Sequence, residues 1–532
     1  MIYFILSIIP WFLFTILKSK KAFHMLQQNS YNRGYRYLKW VNNNKRKLIV
    51  DPDYTVFIPL IIIGLLFTDM INLLMIIYFL AYILYFIIYY QHLMKEKAKK
   101  PLVVSARIIR LIITLSIIYV VPIILFGINY SNINNIYYYF GLSIATYLGY
   151  LIVWLANVIN KPVEKMVYFY YLGKAKRKLK MMPNLRVIGI TGSYGKTSSK
   201  NILADILNIK YNTLPSPQNF NTPYGLMITI NNHLDKFDEI LIAEMGAYKI
   251  GEVKELCDLV KPKYGILTKI GVAHLESFGS EENIQKGKFE LIESLPQDGI
   301  GILNKDDDKQ VSYKLKNRCK IIWIGIENKD VDVYATDIKS SDKGSTFNVI
   351  FTGDNKKYPF ETKLLGNANV YNILAALALG LELGITIEEL QRAVKFVKPV
   401  EHRLELKKYG SINLIDDAYN SNPIGSKMAL DVLSLMPGKK IIVTPGMIEL
   451  GAKQYELNKK YGEYIADVCD EVILVGEKQT QPIADGLKLK KYKPQNIHII
   501  NDVKTAFNLI EELKEKETYV LLENDLPDIF NE

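Results

Sequence analysis

The segment Arg186–Thr197, RVIGITGSYGKT, limits the fold more than any other stretch of this 532-residue chain. A short β-rich run (Val187, Ile188, Ile190) enters a glycine-containing turn ending in Gly195, Lys196 and Thr197, and Ile202, Leu203, Ile206 and Leu207 follow at helical spacing. Strand, glycine loop and helix in this order make a phosphate-binding unit, because backbone N–H groups can face phosphate oxygens at a helix N-terminus. Lys196 offers a point charge near the β- and γ-phosphates, and the Thr197 hydroxyl a ligand for Mg2+. Thr191, Gly192 and Ser193 complete the loop. The general pattern has glycine six residues before the lysine, where this chain has Ile190, so the loop is the variant T-G-x-x-G-K-T. ATP or GTP is the expected ligand.

Composition divides the chain into two unlike parts. Residues 1–180 carry 22 Lys and Arg against 5 Asp and Glu, leaving 44 against 49 beyond, so the excess positive charge belongs to the first third. That third also holds apolar runs at Ile2–Leu17, Tyr54–Thr68, Ile71–Leu93, Leu111–Gly127 and Ile136–Ile159. Most are long enough for a hydrocarbon core of about 30 Å, the first two being short, which predicts about five transmembrane helices within residues 1–165. The intervening Lys18–Lys47 and Lys95–Arg110 segments are basic, whereas the turns near Asp69 and Ile128–Asn135 are not. Basic loops stay in the cytoplasm, which places the N-terminus outside and everything beyond Lys161 in the cytoplasm. A signal peptide fits the first run less well, since no cation precedes it and no small-residue cleavage site follows. The basic excess reads as topology signal and attraction to anionic membrane lipids; nucleic-acid binding is not expected, because the later part lacks aromatic–basic interleaving. A transporter is disfavoured by the scarcity of ionisable residues within the runs.

A basic linker at 166–185 leads to about 350 residues, enough for two cores. Cys257, Cys319 and Cys469 are too scattered for a zinc site or a disulfide framework. Strand-like runs at Glu239–Met245, Tyr264–Ile270 and Gly299–Asn304 alternate with helical patterns, the signature of a parallel sheet with crossover helices. Beyond a boundary near Lys395–Glu401 a second α/β series appears: Asn413–Ile415, Lys440–Thr444, Glu471–Val475, Asn496–Ile500 and Tyr519–Glu523. The expected architecture is an α-helical membrane region, a P-loop parallel-sheet ATPase domain at 186–396 and a smaller Rossmann-like α/β domain at 397–532.

Within this frame further motifs resemble those of the Mur ligases, and among them the branch that adds D-alanyl-D-alanine to the muramoyl tripeptide. They are TGSYGKT, QNFNTPYG at Gln218–Gly225, AEMGA at Ala243–Ala247, AHLESFGS at Ala273–Ser280, KGKFELIESLP at Lys286–Pro296, NKDD at Asn304–Asp307, GNANVYN at Gly366–Asn372, EHRLE at Glu401–Glu405 and DDAYNSNP at Asp416–Pro423. The resemblance implies an ATP-dependent ligase that phosphorylates a carboxylate and lets an amine attack the acyl phosphate. Moving a phosphoryl group calls for cations and strict positioning. By the same resemblance Glu244 and His274 hold a second Mg2+, and Lys288 is carbamylated by CO2 and orients metal, although Lys286 lies two residues away. Asn304, Asn369 and Asn372 hold adenine, with Ala368 where many relatives have histidine. Arg403 and Asp417 reach phosphate and ribose from the last domain. Asn219, Asn221, Tyr419, Asn420 and Asn422 line the side of the reacting carboxylate and amine.

Two departures bear on substrate. Relatives that use nucleotide-linked muramoyl peptides begin with a uridine-binding domain, where this chain has apolar runs, so the donor is expected to be either nucleotide-linked or lipid-linked. In the last domain TPGMIELG (Thr444–Gly451) and LLENDLPD (Leu521–Asp528) replace the more usual GDMLELG and a late lysine-glycine-serine motif. An acidic END there is expected to repel a carboxylate and favour a different amino acid or short peptide as acceptor. The expected function is a membrane-anchored, multi-pass amide ligase of cell-envelope synthesis. The alternatives are a ligase that extends amino-acid polymers, resembling folylpolyglutamate or polyglutamate synthetases, and a non-catalytic ATP-binding scaffold.

Overall fold

The computed structural model describes residues 2–29, 31, 34–45, 48, 71–95, 101–128, 135–354, 356–419, 421–448 and 450–525. The chain separates into two compact units, Met1–Phe169 and Tyr170–Glu532.

The first unit is helical. Helices run Ile2–Gln28, Gly34–Asn43, Ile71–Lys95, Ala106–Ile128, Asn135–Tyr147 and Gly149–Ile159, and a further one, Lys161–Lys180, begins at its end. Trp11 is fully buried, its indole N–H donating to the Leu142 carbonyl (3.0 Å) and to Thr146 Oγ1 (2.8 Å). Arg110 grips Glu164 in a two-pronged pair at 2.7 and 3.0 Å. The spans expected from the sequence are only partly present as such. Among the described residues one helix, Ala106–Leu125, is long and apolar enough to cross a membrane, and the apolar stretch of the helix Ile71–Lys95 is shorter, Met75–Gln91. The expected Ile136–Ile159 span is two helices bent by 80° across Leu148. The first helix continues eleven residues past Leu17 into the expected basic loop; there Lys18 is buried and donates to the Thr146 carbonyl (3.2 Å), so a residue read as a loop cation is packed. The run Tyr54–Thr68 lies outside the described residues.

The second unit holds two sheets. Strands β1 (Arg186–Thr191), β2 (Thr213–Pro215), β3 (Ile240–Glu244), β4 (Tyr264–Leu267), β5 (Ile300–Asn304), β6 (Lys320–Gly325), β7 (Val333–Ser341), β8 (Gly344–Phe351) and β9 (Lys357–Thr362) form a sheet ordered β2-β3-β1-β4-β5-β6-β7-β8-β9. It is parallel from β2 to β7 and antiparallel from β7 to β9, so the expected parallel sheet is a mixed one. The central parallel strands β1, β3 and β4 are buried along nearly their whole length because crossover helices cover both faces. On one face the helices Lys196–Leu207 and Gly366–Glu382 build a core from Ile188, Ile190, Leu203, Ile206, Ile373 and Leu377.

Strands β10 (Glu405–Tyr409), β11 (Ile412–Asp417), β12 (Lys439–Thr444), β13 (Glu471–Val475), β14 (Ile497–Ile500) and β15 (Thr518–Glu523) make the second sheet, ordered β10-β11-β15-β12-β13-β14 and parallel except for β10. Both sheets therefore offer the carboxyl ends of parallel strands, where open α/β sheets form their crevices.

Candidate active site

The phosphate loop leaves β1 at Thr191, whose hydroxyl donates to the Met245 carbonyl (2.7 Å) and so ties the loop to the end of β3. Gly192 has φ +151°, and a Cβ there would lie 2.0 Å from Thr268 Oγ1, which leaves room for glycine alone. Ser193 is held by its N–H to the Lys269 carbonyl (2.9 Å) and its hydroxyl to the Gly271 carbonyl (3.0 Å). Gly195, in the left-handed region at φ +79°, starts the helix Lys196–Leu207, whose first N–H groups are free of intrahelical partners. Lys196 Nζ donates to the Gly192 and Ser193 carbonyls (2.9 and 3.2 Å), which curls its ammonium over the loop. Burial lowers its pKa from the ordinary lysine value, Arg403 adds to that, and Glu244 opposes it.

Glu244 ends β3 and is buried. Its Oε1 accepts from Thr197 Oγ1 (3.3 Å) and Asn221 Nδ2 (3.1 Å), and its Oε2 pairs with Lys200 Nζ at 3.1 Å. Two hard oxygens, one hydroxyl and one carboxylate, separated by about the edge of a Mg2+ octahedron fit that ion, which keeps several waters as ligands. The loop with its inward glycines and helix N-terminus fits a polyphosphate. Lys200 was not foreseen: a lysine one turn into a helix reads as a solvated cation, yet this side chain is buried. Its spacing of four from Lys196, which puts both on one helix face, was the available signal.

His274 adopts the left-handed conformation (φ +58°) at the start of a short turn, Leu275–Phe278, and its ring packs on Tyr248 with centroids 4.3 Å apart. Lys286 and Lys288 now separate: Lys286 is exposed, whereas Lys288 is buried, with Nζ donating to the Ala247 carbonyl (3.3 Å) and lying over the Phe278 ring. Burial holds the Lys288 amine far below the ordinary lysine range, and nearby Lys196 pushes the same way. Among the described residues no three His, Cys, Asp or Glu side chains converge on one point, so no ready cluster joins Glu244 and His274.

The three asparagines expected at adenine are buried and already bonded in part. Asn304 Oδ1 accepts the Asp306 N–H (2.9 Å), and Asn369 Nδ2 donates to the Leu365 carbonyl (2.9 Å). Asn372 Oδ1 comes within 3.7 Å of a Cβ built on Gly195 and so borders the phosphate loop. Beside them Asp306, which sequence reading passed over, accepts from the N–H groups of Ile326, Glu327 and Asn328 and from the Tyr371 hydroxyl (2.8 Å), fixing this wall.

Just before β10, Arg403 sits between His402 and Leu404, both at positive φ (58° and 48°). Its guanidinium lies 4.2 Å from the Tyr419 ring centroid, and its charge reaches Lys196, Lys200 and Asp417. Asp417 Oδ1 accepts the Leu404 N–H (3.2 Å); burial raises its pKa while Arg403 opposes. Asn219 is exposed, Asn221 is half-buried against Glu244, and Tyr419 is exposed apart from the arginine on its face. Asn422 caps the helix Pro423–Ser434, its Oδ1 accepting the Gly425 N–H (2.8 Å), a structural use that its motif did not announce. Asn420 lies outside the described residues.

The acidic END needs correcting. Glu523 does not face outward to repel anything: it is buried, and its Oε1 accepts from Ser421 (2.8 Å) and Ser426 (2.5 Å). Burial raises its pKa, with Asp417 adding to the effect. Asn524 takes φ +72° and bonds the Gly446 carbonyl (2.6 Å), while Asp525 alone of the three is exposed.

Comparison with known proteins agrees with this geometry. A model of the Mur ligase middle domain matches residues 190–380, and one of the Mur ligase glutamate ligase domain matches 402–523. The UDP-N-acetylmuramoyl-tripeptide–D-alanyl-D-alanine ligase of Bacillus subtilis is 31% identical over 340 residues, 63% of this chain and 72% of that protein. The Escherichia coli enzyme of the same name is 33% identical over 303 residues, 56% and 66% of the two chains. Among solved structures, MurF ligase from Thermotoga maritima in complex with ADP superposes with a TM-score of 0.60 at 26% identity, covering 67% of this chain and 80% of that one. MurF from Acinetobacter baumannii superposes at 0.61 and 24% identity, over 67% and 77%. The chain belongs to the Mur ligase family.

Proposed function

We propose that this ATP-dependent carbon–nitrogen ligase acts at a membrane surface in peptidoglycan synthesis, joining an amino acid or short peptide to a carboxylate of a nucleotide-linked or lipid-linked donor. The observation that carries the reading is the phosphate loop of Lys196 with Thr197 bonded to Glu244 at the end of β3, where the charge of Arg403 from the second domain is felt at Lys196. Lys196 and the loop amides orient the β- and γ-phosphates, and Arg403, steadied on Tyr419, comes from the second domain to neutralise charge as the phosphoryl group moves. Bound Mg2+ would be held by Thr197 and Glu244, with His274 and Lys288 toward a second ion, and would neutralise phosphate charge. Lys288 is the lysine suited to carbamylation, since burial favours the neutral form of its amine, the form that attacks CO2, and the exposed Lys286 is not so placed. Asn304, Asn369 and Asn372 shape the base pocket and Asp417 takes the ribose. Asn219, Asn221 and Tyr419 line the side of the reacting carboxylate and amine.

In this reading residues 1–165 are the membrane region, 166–185 a basic linker, and 186–396 and 397–532 the two ligase domains. The helices Ile71–Lys95 and Ala106–Ile128 expose Ile76, Leu80, Leu84, Ile113, Ile117 and Ile124, an apolar surface that suits lipid better than water. The test is ADP and phosphate release by detergent-solubilised protein against nucleotide-linked and lipid-linked muramoyl peptides paired with single amino acids and dipeptides. Release that needs one donor–acceptor pair and vanishes in Lys196→Ala supports the ligase and names its substrates. Repeated addition of one amino acid would point to a polymer ligase, and nucleotide binding without turnover for any pair would favour a scaffold.

A further inference from the structure

The Lys200 ammonium touches three elements at once. It belongs to the helix that follows the phosphate loop, it pairs with Glu244 Oε2 at the end of β3, and it donates to the Gln218 carbonyl in the loop after β2. That loop is awkward to hold, because Gln218 is a non-glycine residue at φ +45° and Asn219 is exposed. Its far end is fastened to the same carboxylate: Asn221 Nδ2 donates to Glu244 Oε1 (3.1 Å), and the Asn221 carbonyl accepts the Gly246 N–H (2.8 Å). A Cβ on Gly246 would lie 2.9 Å from the Asn221 side chain, so the approach requires glycine. Both charges of the Lys200–Glu244 pair are almost wholly buried (1% and 2% of their side chains exposed), and neither has water to replace its partner.

We propose that Lys200 is a positioning residue that clips the Gln218–Asn221 loop and the acid Glu244 to the phosphate-loop helix, so that the metal side and the substrate side of the site move as one body. The proposal rests on the ligase reading for the names of those two sides, but the clip itself does not depend on it. Lys200 need not touch nucleotide or substrate; it acts through the aim of Glu244 and Asn221. Removing it is expected to loosen the loop and misdirect the carboxylate together, leaving the loop amides and Lys196 in place for nucleotide phosphates.

The experiment compares Lys200→Met with the parent, both as the full chain in detergent. Backbone hydrogen exchange across 216–226 is expected to rise roughly tenfold in the variant while the β3 amides of 240–243 keep their protection. ADP binding measured without Mg2+ is expected to stay within about twofold, whereas the Mg2+ concentration that half-restores tight ADP binding rises by roughly fivefold or more. Parent-like exchange in the loop overturns the proposal, and so does a rise shared equally with β3, which would mark a merely structural lysine. Should Lys200→Met fail to fold because Glu244 is left charged and buried, the pair Lys200→Met/Glu244→Gln removes both charges at similar volume, and fast exchange confined to 216–226 is expected there too; protected exchange in that variant refutes the clip. The exchange readout needs no donor or acceptor, so a negative ligase assay would leave this result standing and a negative exchange result would leave the ligase assay standing.

Discussion

Replacing Glu523 by glutamine is expected to make the protein more stable at pH 8 and to change it little at pH 5. The carboxyl is buried at the end of β15, beside Asp417 in the register of β11, with hydroxyls of Ser421 and Ser426 on one oxygen only. Burial outweighs those two bonds, so the folded state binds the proton more tightly than the unfolded chain does. The sign follows: for an acid with a raised folded pKa the folded form holds more protons between the two pKa values, and stability falls as pH rises through that window. The window opens near the ordinary glutamate value and closes near pH 8. Each pH unit inside it is worth about 1.4 kcal/mol, so, discounting for coupling to Asp417, the parent should lose roughly 2–3 kcal/mol at this residue between pH 5 and pH 8. Glutamine keeps an acceptor for the serines, carries no charge, and should remove that loss. The assay is differential scanning calorimetry of parent and variant from pH 5 to pH 8, where the gap should open by about 5–10 °C in favour of the variant at the alkaline end. Asp417 is present in both, so the difference reads Glu523 together with its coupling to Asp417. A gap that stays constant with pH, or a variant less stable at pH 8 by as much as at pH 5, would refute the buried-acid reasoning.

Three further outcomes are expected. Gly192→Ala should abolish ADP binding measured by calorimetry while the apolar strands stay folded by circular dichroism, since its Cβ would lie 2.0 Å from Thr268 Oγ1. Lys288→Ala should lower turnover by roughly 100-fold or more, with partial recovery on adding a short-chain carboxylate, whereas Lys286→Ala should act within about twofold of the parent; equal effects would remove Lys288 from the metal side. Asn422→Ala should destabilise by about 1 kcal/mol in denaturant titration through loss of the helix cap, with the KM for the acceptor unchanged, and a KM change without a stability change would return Asn422 to the substrate.

The parts of the fold that the sequence announced are those in which one residue type repeats for a physical reason. Runs such as Ile240–Glu244 and Glu471–Val475 are apolar on both faces because parallel strands are covered twice, and their limits were found to within two residues or so. Strands β7 to β9 went unread: they alternate exposed and buried positions, their register is irregular between Thr336 and Lys339, and no motif marks them. The straight Ile136–Ile159 span failed for another reason, since hydropathy counts residues and is blind to the bend at Leu148. In the site, glycines and Lys196 were legible because their conformations and charge have few substitutes. Asparagine was harder, because the same amide serves a purine edge or a helix cap, and Asn422 has a cap to make.

Burial decides the charged residues, and it is the quantity a sequence hides best. Lys196 and Lys200 feel both the buried carboxylate of Glu244 and the charge of Arg403, and Lys288 feels that of Lys196. Such an excess of cations suits a polyphosphate and resists a second divalent ion. Converting Lys288 to a carbamate would put an anion where burial favours a neutral amine and shift the local balance toward metal binding. The same balance makes a checkable demand: intact-mass analysis at neutral pH with bicarbonate present should find a labile addition of about 44 Da that is absent from Lys288→Ala, and acid should remove it because the carbamate needs a deprotonated amine. If no such addition forms, the second ion must be held against Lys196, Lys200 and Arg403 by Glu244 and His274 with water, and the affinity for it should then change little when Lys288 is replaced by methionine, since burial favours the neutral amine and its loss removes neither an anion nor a full cation.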